Sequence, residues 1–104
     1  FLATKVSFFN ELNGFCETQS VNYDMVKELI CLDERVGESH TGVPGHDGKY
    51  GFGGTCFPKD MNSLYAQMEE AGAKSFVVDG AIMRNLHLDR PEQEWKEDKG
   101  RAVV

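Results

Sequence analysis

The 104-residue sequence lacks any apolar run long enough to cross a membrane. Its longest apolar runs are a few residues, such as Phe76 to Val78, whereas a transmembrane helix needs about 20. It also lacks an excess of basic residues, because 11 lysines and arginines stand against 17 aspartates and glutamates, for a formal charge of -6. A chain of that sign repels phosphate backbones. The composition therefore argues against nucleic-acid and membrane partners.

The sequence also lacks the paired cysteine spacing of a disulfide framework. Its three cysteines are Cys16, Cys31 and Cys56, and an odd, unpaired set predicts a reducing compartment, which we expect to be the cytoplasm. The chain opens Phe1-Leu2-Ala3 without Met or a signal peptide, and it ends on Arg101–Val104, which resembles the start of a buried strand. We therefore expect further domains on both sides in a larger protein.

The apolar spacing predicts a small all-α domain over residues 1–88. The four predicted helices cover about residues 1–18, 22–33, 58–72 and 75–88. Asn22 is predicted to cap the second helix and Gly72 to end the third. The predicted inner face of the second helix consists of Met25, Val26, Leu29 and Ile30. The face of the first helix carries three phenylalanines, more than a chain of this size readily covers, so we expect part of it to contact another subunit or domain. Residues 89–104 begin with a helix-breaking Asp-Arg-Pro and are acid-rich, which predicts a linker.

A glycine-rich segment separates the second and third predicted helices. Residues 37–54 hold seven of the chain's 11 glycines and show neither helical nor strand periodicity, which predicts a loop. Long irregular segments in a compact domain are usually either functional or disordered. Because Tyr50, Phe52 and Phe57 punctuate the glycines, we favour a shaped, functional loop.

Cys56 follows this loop directly and precedes the third predicted helix. Free backbone N–H groups and the positive end of a helix dipole stabilise a thiolate at such a position. Lys59 adds positive charge, and Asp60 lies four residues beyond Cys56, on the same helical face if the helix begins near Pro58. The pattern predicts a nucleophile and an acid-base group in one pocket. The alternative for Cys56 taken alone is a structural cysteine. The alternative for Lys59 and Asp60 is that they are solvated residues at a helix end.

The glycines before Cys56 can expose backbone N–H donors. At Gly51, Gly53 and Gly54 such donors suit a phosphate or sugar oxygen. The string is not a dinucleotide fingerprint, because the third glycine of that motif would fall at Cys56 and no strand precedes it. The spacing of the chain's histidines and cysteines matches no zinc site, so we expect no metal.

The string Gly-Phe-Gly-Gly-Thr-Cys-Phe-Pro-Lys-Asp, residues 51–60, resembles the active-site signature of the UDP-glucose/GDP-mannose dehydrogenase family. Residues 1–11 resemble the long helix of that family's central domain, and residues 33–37 resemble its Asp-x-Arg-Ile-Gly turn. The resemblance implies a central, dimerising helical domain between two Rossmann-type domains. It also implies NAD as a cofactor that is bound by those other domains and not by this chain.

The resemblance further implies a four-electron oxidation of a sugar C6 alcohol to a carboxylate, with two NAD. Cys56 would attack the intermediate aldehyde to give a thiohemiacetal, and a second hydride transfer would leave a thioester. Asp60 would position or activate the water that hydrolyses this thioester, and Lys59 would support it electrostatically. The catalytic lysine and asparagine of the family would precede Phe1. The isolated chain is therefore expected to be inactive, and Lys5 is not that lysine.

The resemblance also implies the residues that contact the substrate. Gly51–Gly54 would bind it through backbone amides, while Tyr50 and the walls formed by Phe52 and Phe57 would complete the pocket. Arg35 would reach the substrate of the neighbouring subunit, which implies a homodimer. UDP-glucose is the expected substrate, with GDP-mannose or a UDP-N-acetyl sugar as alternatives. A hypothesis of another class is a dimerisation or binding module that kept the fold without the chemistry.

Overall fold

The computed structural model describes residues 1–97, which form four α-helices and no strand. The helices are α1 (Leu2–Thr18), α2 (Tyr23–Ile30), α3 (Cys56–Ala71) and α4 (Phe76–Arg84). A π-helical turn, Asn85–Asp89, continues α4, and a 3₁₀ turn follows at Glu94–Glu97. The all-α prediction is confirmed. The strand predicted at residues 101–104 lies outside the described residues.

Two apolar clusters along α1 hold the helices together. The first contains Phe9, Cys16 and Tyr23 and joins α1 to α2. The second contains Ala3, Phe52, Met61 and Ala81, and so joins α1, α3 and α4. Since Phe52 belongs to the glycine-rich segment, that segment contributes to the core and does not merely cover it.

Two helix ends follow the predicted chemistry. The side chain of Asn22 caps α2 by accepting a hydrogen bond from the Met25 amide at 3.0 Å. Gly72 ends α3 in the left-handed conformation, with φ 73°, where a residue without Cβ is favoured. The Ala73 amide then donates to Met68 O at 2.9 Å.

The structure differs from the predicted elements in three places. α3 begins at Cys56, two residues before Pro58, so the cysteine is the first residue of the helix. Met25 and Leu29, predicted to face inward, are exposed because the buried Tyr23 sets the rotation of the short α2. The fourth helix widens into a π-turn at Asn85, which redirects the side chains that follow.

Part of the apolar face of α1 remains uncovered within residues 1–97. Phe8 is 58% exposed and Phe15 is 62% exposed, whereas Phe9 between them is buried. No helix in the described part of the chain combines the length and the apolar character that a membrane span requires.

Candidate active site

The first turn of α3 presents the predicted nucleophile to solvent. Cys56 is exposed and is the first helical residue, and Thr55 before it makes no side-chain cap. Lys59 Nζ lies 3.3 Å from Asp60 Oδ1, with the two side chains 34% and 68% exposed. An ion pair this exposed contributes little stability because water screens it. The turn therefore carries a thiol, a cation and a carboxylate that are available to a ligand.

The loop before Cys56 is held by side chains from three other parts of the chain. Asn85 pairs with both backbone groups of Phe52: its Oδ1 accepts from Phe52 N at 2.8 Å and its Nδ2 donates to Phe52 O at 2.9 Å. The Gly51 amide donates to Asn10 Oδ1 at 3.0 Å, and the Gly54 amide donates to Glu94 Oε1 at 3.1 Å. Three of the four amides between residues 51 and 54 thus face the domain itself. Their predicted contact with a substrate stays a prediction.

Arg90 is the centre of these contacts and is 0% exposed. Its Nε donates to Tyr50 O at 2.9 Å, its Nη1 to Glu94 Oε1 at 2.6 Å and its Nη2 to Asp47 Oδ2 at 2.8 Å. A buried guanidinium is tolerated only when its charge is paired and its donors are used. Here two carboxylates and the backbone carbonyls of Tyr50 and Gly51 accept its hydrogen bonds.

Two of the loop's glycines are explained by this packing. A Cβ on Gly53 would lie 1.8 Å from Arg90 Nη1, and one on Gly51 would lie 2.2 Å from Asn85 Oδ1. Neither position has room for a side chain. Gly54 differs, since a Cβ there would meet nothing within 4 Å, but its φ of 77° favours glycine.

The earlier part of the irregular segment is held by α1 and α2. Lys5 Nζ donates to Val36 O at 2.7 Å and to Gly37 O at 3.3 Å, so this buried lysine has a structural role. The Tyr23 hydroxyl donates to Thr41 O. Burial raises the pKa of Tyr23 well above its ordinary value, so the phenol stays protonated.

A cleft of about 770 Å³ lies between the glycine-rich residues 37–54 and the helices α1 and α2. Its walls include Phe52, Phe57 and three of the loop's glycines, namely Gly51, Gly53 and Gly54. The lining does not include the other predicted site residues, which are Arg35, Tyr50, Cys56, Lys59 and Asp60. His40 also lines the cleft, with its ring 5.8 Å from that of Phe57. The structure therefore separates the predicted residues into a cleft group and an exposed group on α3 and the surrounding loops.

Arg35 belongs to the exposed group. Its side chain is 89% exposed and donates to Asp33 through Nε at 3.0 Å and Nη2 at 2.6 Å. These hydrogen bonds lower the pKa of Asp33, and the carboxylate in turn raises the pKa of Arg35. Tyr50 is also exposed, and only its carbonyl takes part in the contacts with Arg90.

Residues 1–97 hold no group of three or more His, Cys, Asp or Glu that could bind a metal ion, and the metal-free state stays a prediction. They also contain no strand from which a dinucleotide-binding turn of the Rossmann type could start. That NAD is bound outside this chain stays a prediction.

Four residues that hold the loop were not identified from the sequence: Asn10, Asn85, Arg90 and Glu94. Asn10 interrupts the apolar spacing of α1, which is a weak signal of a buried polar contact. Arg90 and Glu94 lie in the segment predicted as a linker, where arginine and glutamate are normally solvated. That domain boundary stays a prediction, although the described part of this segment packs on the loop.

A model of the UDP-glucose/GDP-mannose dehydrogenase family, central domain, matches residues 1–87. The chain belongs to this family. It is 38% identical over 85 residues to a UDP-glucose 6-dehydrogenase of Pseudomonas aeruginosa, an alignment that covers 82% of this chain and 18% of the relative. It is 34% identical over 87 residues to one of Bacillus subtilis, covering 82% and 17%. Against one of Rickettsia bellii it is 33% identical over 110 residues, covering 100% and 24%.

The match to the central domain includes the whole cysteine signature and all of α1 to α4. The chain spans 17–24% of the length of these three relatives. The comparison with solved structures found no match.

Proposed function

We propose that this chain is the central domain of an NAD-dependent nucleotide-sugar 6-dehydrogenase that oxidises UDP-glucose to UDP-glucuronate, with Cys56 as its nucleophile. The observation that carries the proposal is the position of Cys56. It is exposed at the first residue of α3, after a loop held from behind, with Lys59 and Asp60 in the turn that follows. The names of the relatives support UDP-glucose as the substrate.

In this proposal the residues of α3 carry the covalent chemistry. The Cys56 thiolate adds to the C6 carbon of the aldehyde, which forms a C–S bond and a thiohemiacetal. After oxidation to the thioester, water attacks the same carbon, the C–S bond breaks, and the thiolate and a carboxylate are released. Asp60 positions this water and accepts its proton, while Lys59 and the N-terminus of α3 stabilise the thiolate.

The oxidation steps need a hydride acceptor. NAD supplies that chemistry in the proposed enzyme, and the proposal places its site outside this chain. The isolated chain is therefore expected to lack turnover, although its thiol should be reactive.

A homodimer is part of the proposal. The exposed Phe8 and Phe15 on α1 support an interface there, since uncovered aromatic side chains on one helix face are typical of a contact surface. The outward position of Arg35 is consistent with a contact to the substrate of the neighbouring subunit. The predicted contacts of Tyr50, Phe52, Phe57 and the loop glycines with substrate, and the cytoplasmic location, stay predictions.

The thiol chemistry can be tested on the chain itself. We expect Cys56 to be alkylated faster at pH 7 in the folded chain than in the urea-unfolded chain, as followed by mass spectrometry. Cys31 is half-buried and does not begin a helix, so it is the internal control and should react no faster in the folded chain. A Cys56 rate no higher in the folded chain than in the unfolded chain would contradict the nucleophile assignment.

Turnover can be tested with a chimera. Residues 1–97, which include Arg90 and Glu94, would replace the homologous segment of the Pseudomonas aeruginosa UDP-glucose 6-dehydrogenase, with NADH formation followed by absorbance. We expect turnover with UDP-glucose, its loss in Cys56→Ser, and its retention in the matched control Cys31→Ser. A chimera that folds and dimerises without producing NADH would instead support the dimerisation module.

A further inference from the structure

We propose that Arg90 is a positioning residue for Cys56: its hydrogen bonds to Glu94 and to the loop carbonyls fix the position of the Cys56 thiol. The proposal rests on the proposed function of Cys56. It concerns a residue 34 positions later in the chain, in the segment after α4. Arg90 would touch neither substrate nor cofactor.

The Arg90 guanidinium extends across the loop and binds it at several points. Its Nε donates to Tyr50 O at 2.9 Å, and its Nη2 donates to Asp47 Oδ2 at 2.8 Å and to Gly51 O at 3.4 Å. One rigid, planar group therefore contacts three residues before the cysteine signature turns into α3. A planar fork restrains direction as well as distance.

Glu94 connects the guanidinium to the residues just before Cys56. Arg90 Nη1 donates to Glu94 Oε1 at 2.6 Å, and the same oxygen accepts the Gly54 amide at 3.1 Å. Gly54 is two residues before Cys56. Because Thr55 makes no side-chain cap, the beginning of α3 has no capping side chain of its own to hold it. The orientation of Glu94, fixed by Arg90, therefore determines where the helix begins.

The loop leaves room for this arginine at a glycine. At Gly53 a Cβ would stand 1.8 Å from Arg90 Nη1 and 2.0 Å from Glu94 Oε1. A lysine at position 90 could not reproduce the contacts, because a single ammonium group cannot reach both carboxylates and both carbonyls with a fixed fork. A buried guanidinium is stable only when its charge and its donors are paired, and the paired group then holds the loop rigidly.

The expected consequence appears at the thiol. When Cys56 stands at the first residue of α3, its sulfur is near free amides and the positive end of the helix. Lys59 and Asp60 are the charged neighbours on the same turn. Loss of Arg90 would release the start of the helix and weaken the contribution of the free amides and the helix dipole at the sulfur.

The test compares Arg90→Met and Arg90→Lys with the wild-type chain by the rate of Cys56 alkylation at pH 7 in the folded chain. We expect the rate to fall roughly three- to tenfold in Arg90→Met and by less in Arg90→Lys. The control is Phe9→Ala, which destabilises the other apolar cluster, to which none of residues 47–54 belongs. Its Cys56 alkylation rate should equal that of the wild type.

If Arg90→Met does not fold, Asp47→Ala removes one acceptor of the arginine at the exposed edge of the loop and should lower the Cys56 alkylation rate by less. A folded Arg90 or Asp47 variant with an unchanged Cys56 rate overturns the proposal, as does an equal fall in Phe9→Ala. In both cases a wild-type Cys56 rate above that of the unfolded chain leaves the proposed function standing. A wild-type rate no higher than that of the unfolded chain overturns both.

Discussion

The start of α3 and the residues behind the loop are built in opposite ways. Cys56 and Asp60 are exposed, and the charged pair on that turn is screened by water. Behind the loop, Asn85 and Arg90 are buried, and their side chains make hydrogen bonds of 2.6–2.9 Å to the loop and to Glu94. The groups that carry the proposed chemistry are open to a ligand, whereas the Asn85 and Arg90 side chains that hold the loop are closed to water.

This difference predicts which substitutions change the stability of the domain and which change its chemistry. A buried polar network loses free energy when any partner is removed, because the remaining groups cannot turn to water. An exposed turn loses little, because water replaces each contact. Substitutions behind the loop should therefore change the free energy of unfolding, and substitutions on the turn should change only the chemistry.

The largest effect is expected for Gly53→Ala. The added Cβ would overlap Arg90 and Glu94 and separate a buried ion pair, so we expect a loss of about 3–5 kcal/mol in the free energy of unfolding. Urea denaturation followed by circular dichroism measures it. The matched control is Gly54→Ala, whose Cβ meets nothing within 4 Å and whose positive φ alone costs about 1–2 kcal/mol. Equal losses in the two variants would break the comparison.

A smaller effect is expected for Asn85→Ala. This change leaves the amide and the carbonyl of the buried Phe52 without partners, and we expect a loss of about 2–3 kcal/mol. Asn13→Ala is the control, because Asn13 makes only an exposed hydrogen bond to Glu17 on the same helix and should change stability by less than about 0.5 kcal/mol. The same denaturation experiment would contradict the prediction if the two variants were equally stable.

The smallest effect on stability is expected for Cys56→Ser. The side chain is exposed and has no partner to lose among the described residues, so the free energy of unfolding should stay within about 0.5 kcal/mol of the wild type. The same substitution is expected to abolish turnover in the chimera. A large stability loss on this substitution would mean that Cys56 packs into the domain, and the contrast between the two regions would fail.

The helices were largely predictable from local patterns. The cap at Asn22, the glycine end of α3 and the apolar spacing of α1 are short-range features that one stretch of sequence contains. The rotation of α2 was not, because Met25 and Leu29 are as apolar as the residues that face inward. The burial of Tyr23 decides that rotation through its contact with Thr41, 18 residues away.

The candidate site divides in the same way. By itself the sequence determined an all-α chain, a long glycine-rich loop and a cysteine at a helix start with a lysine and an aspartate after it, since each depends on neighbours within about one turn. Only the tertiary structure decided that Gly51 and Gly53 make room for Asn85 and Arg90, and that the loop amides face the domain. The physical reason is that a buried charge is stable only beside its partners, and here those partners come together only when the chain folds.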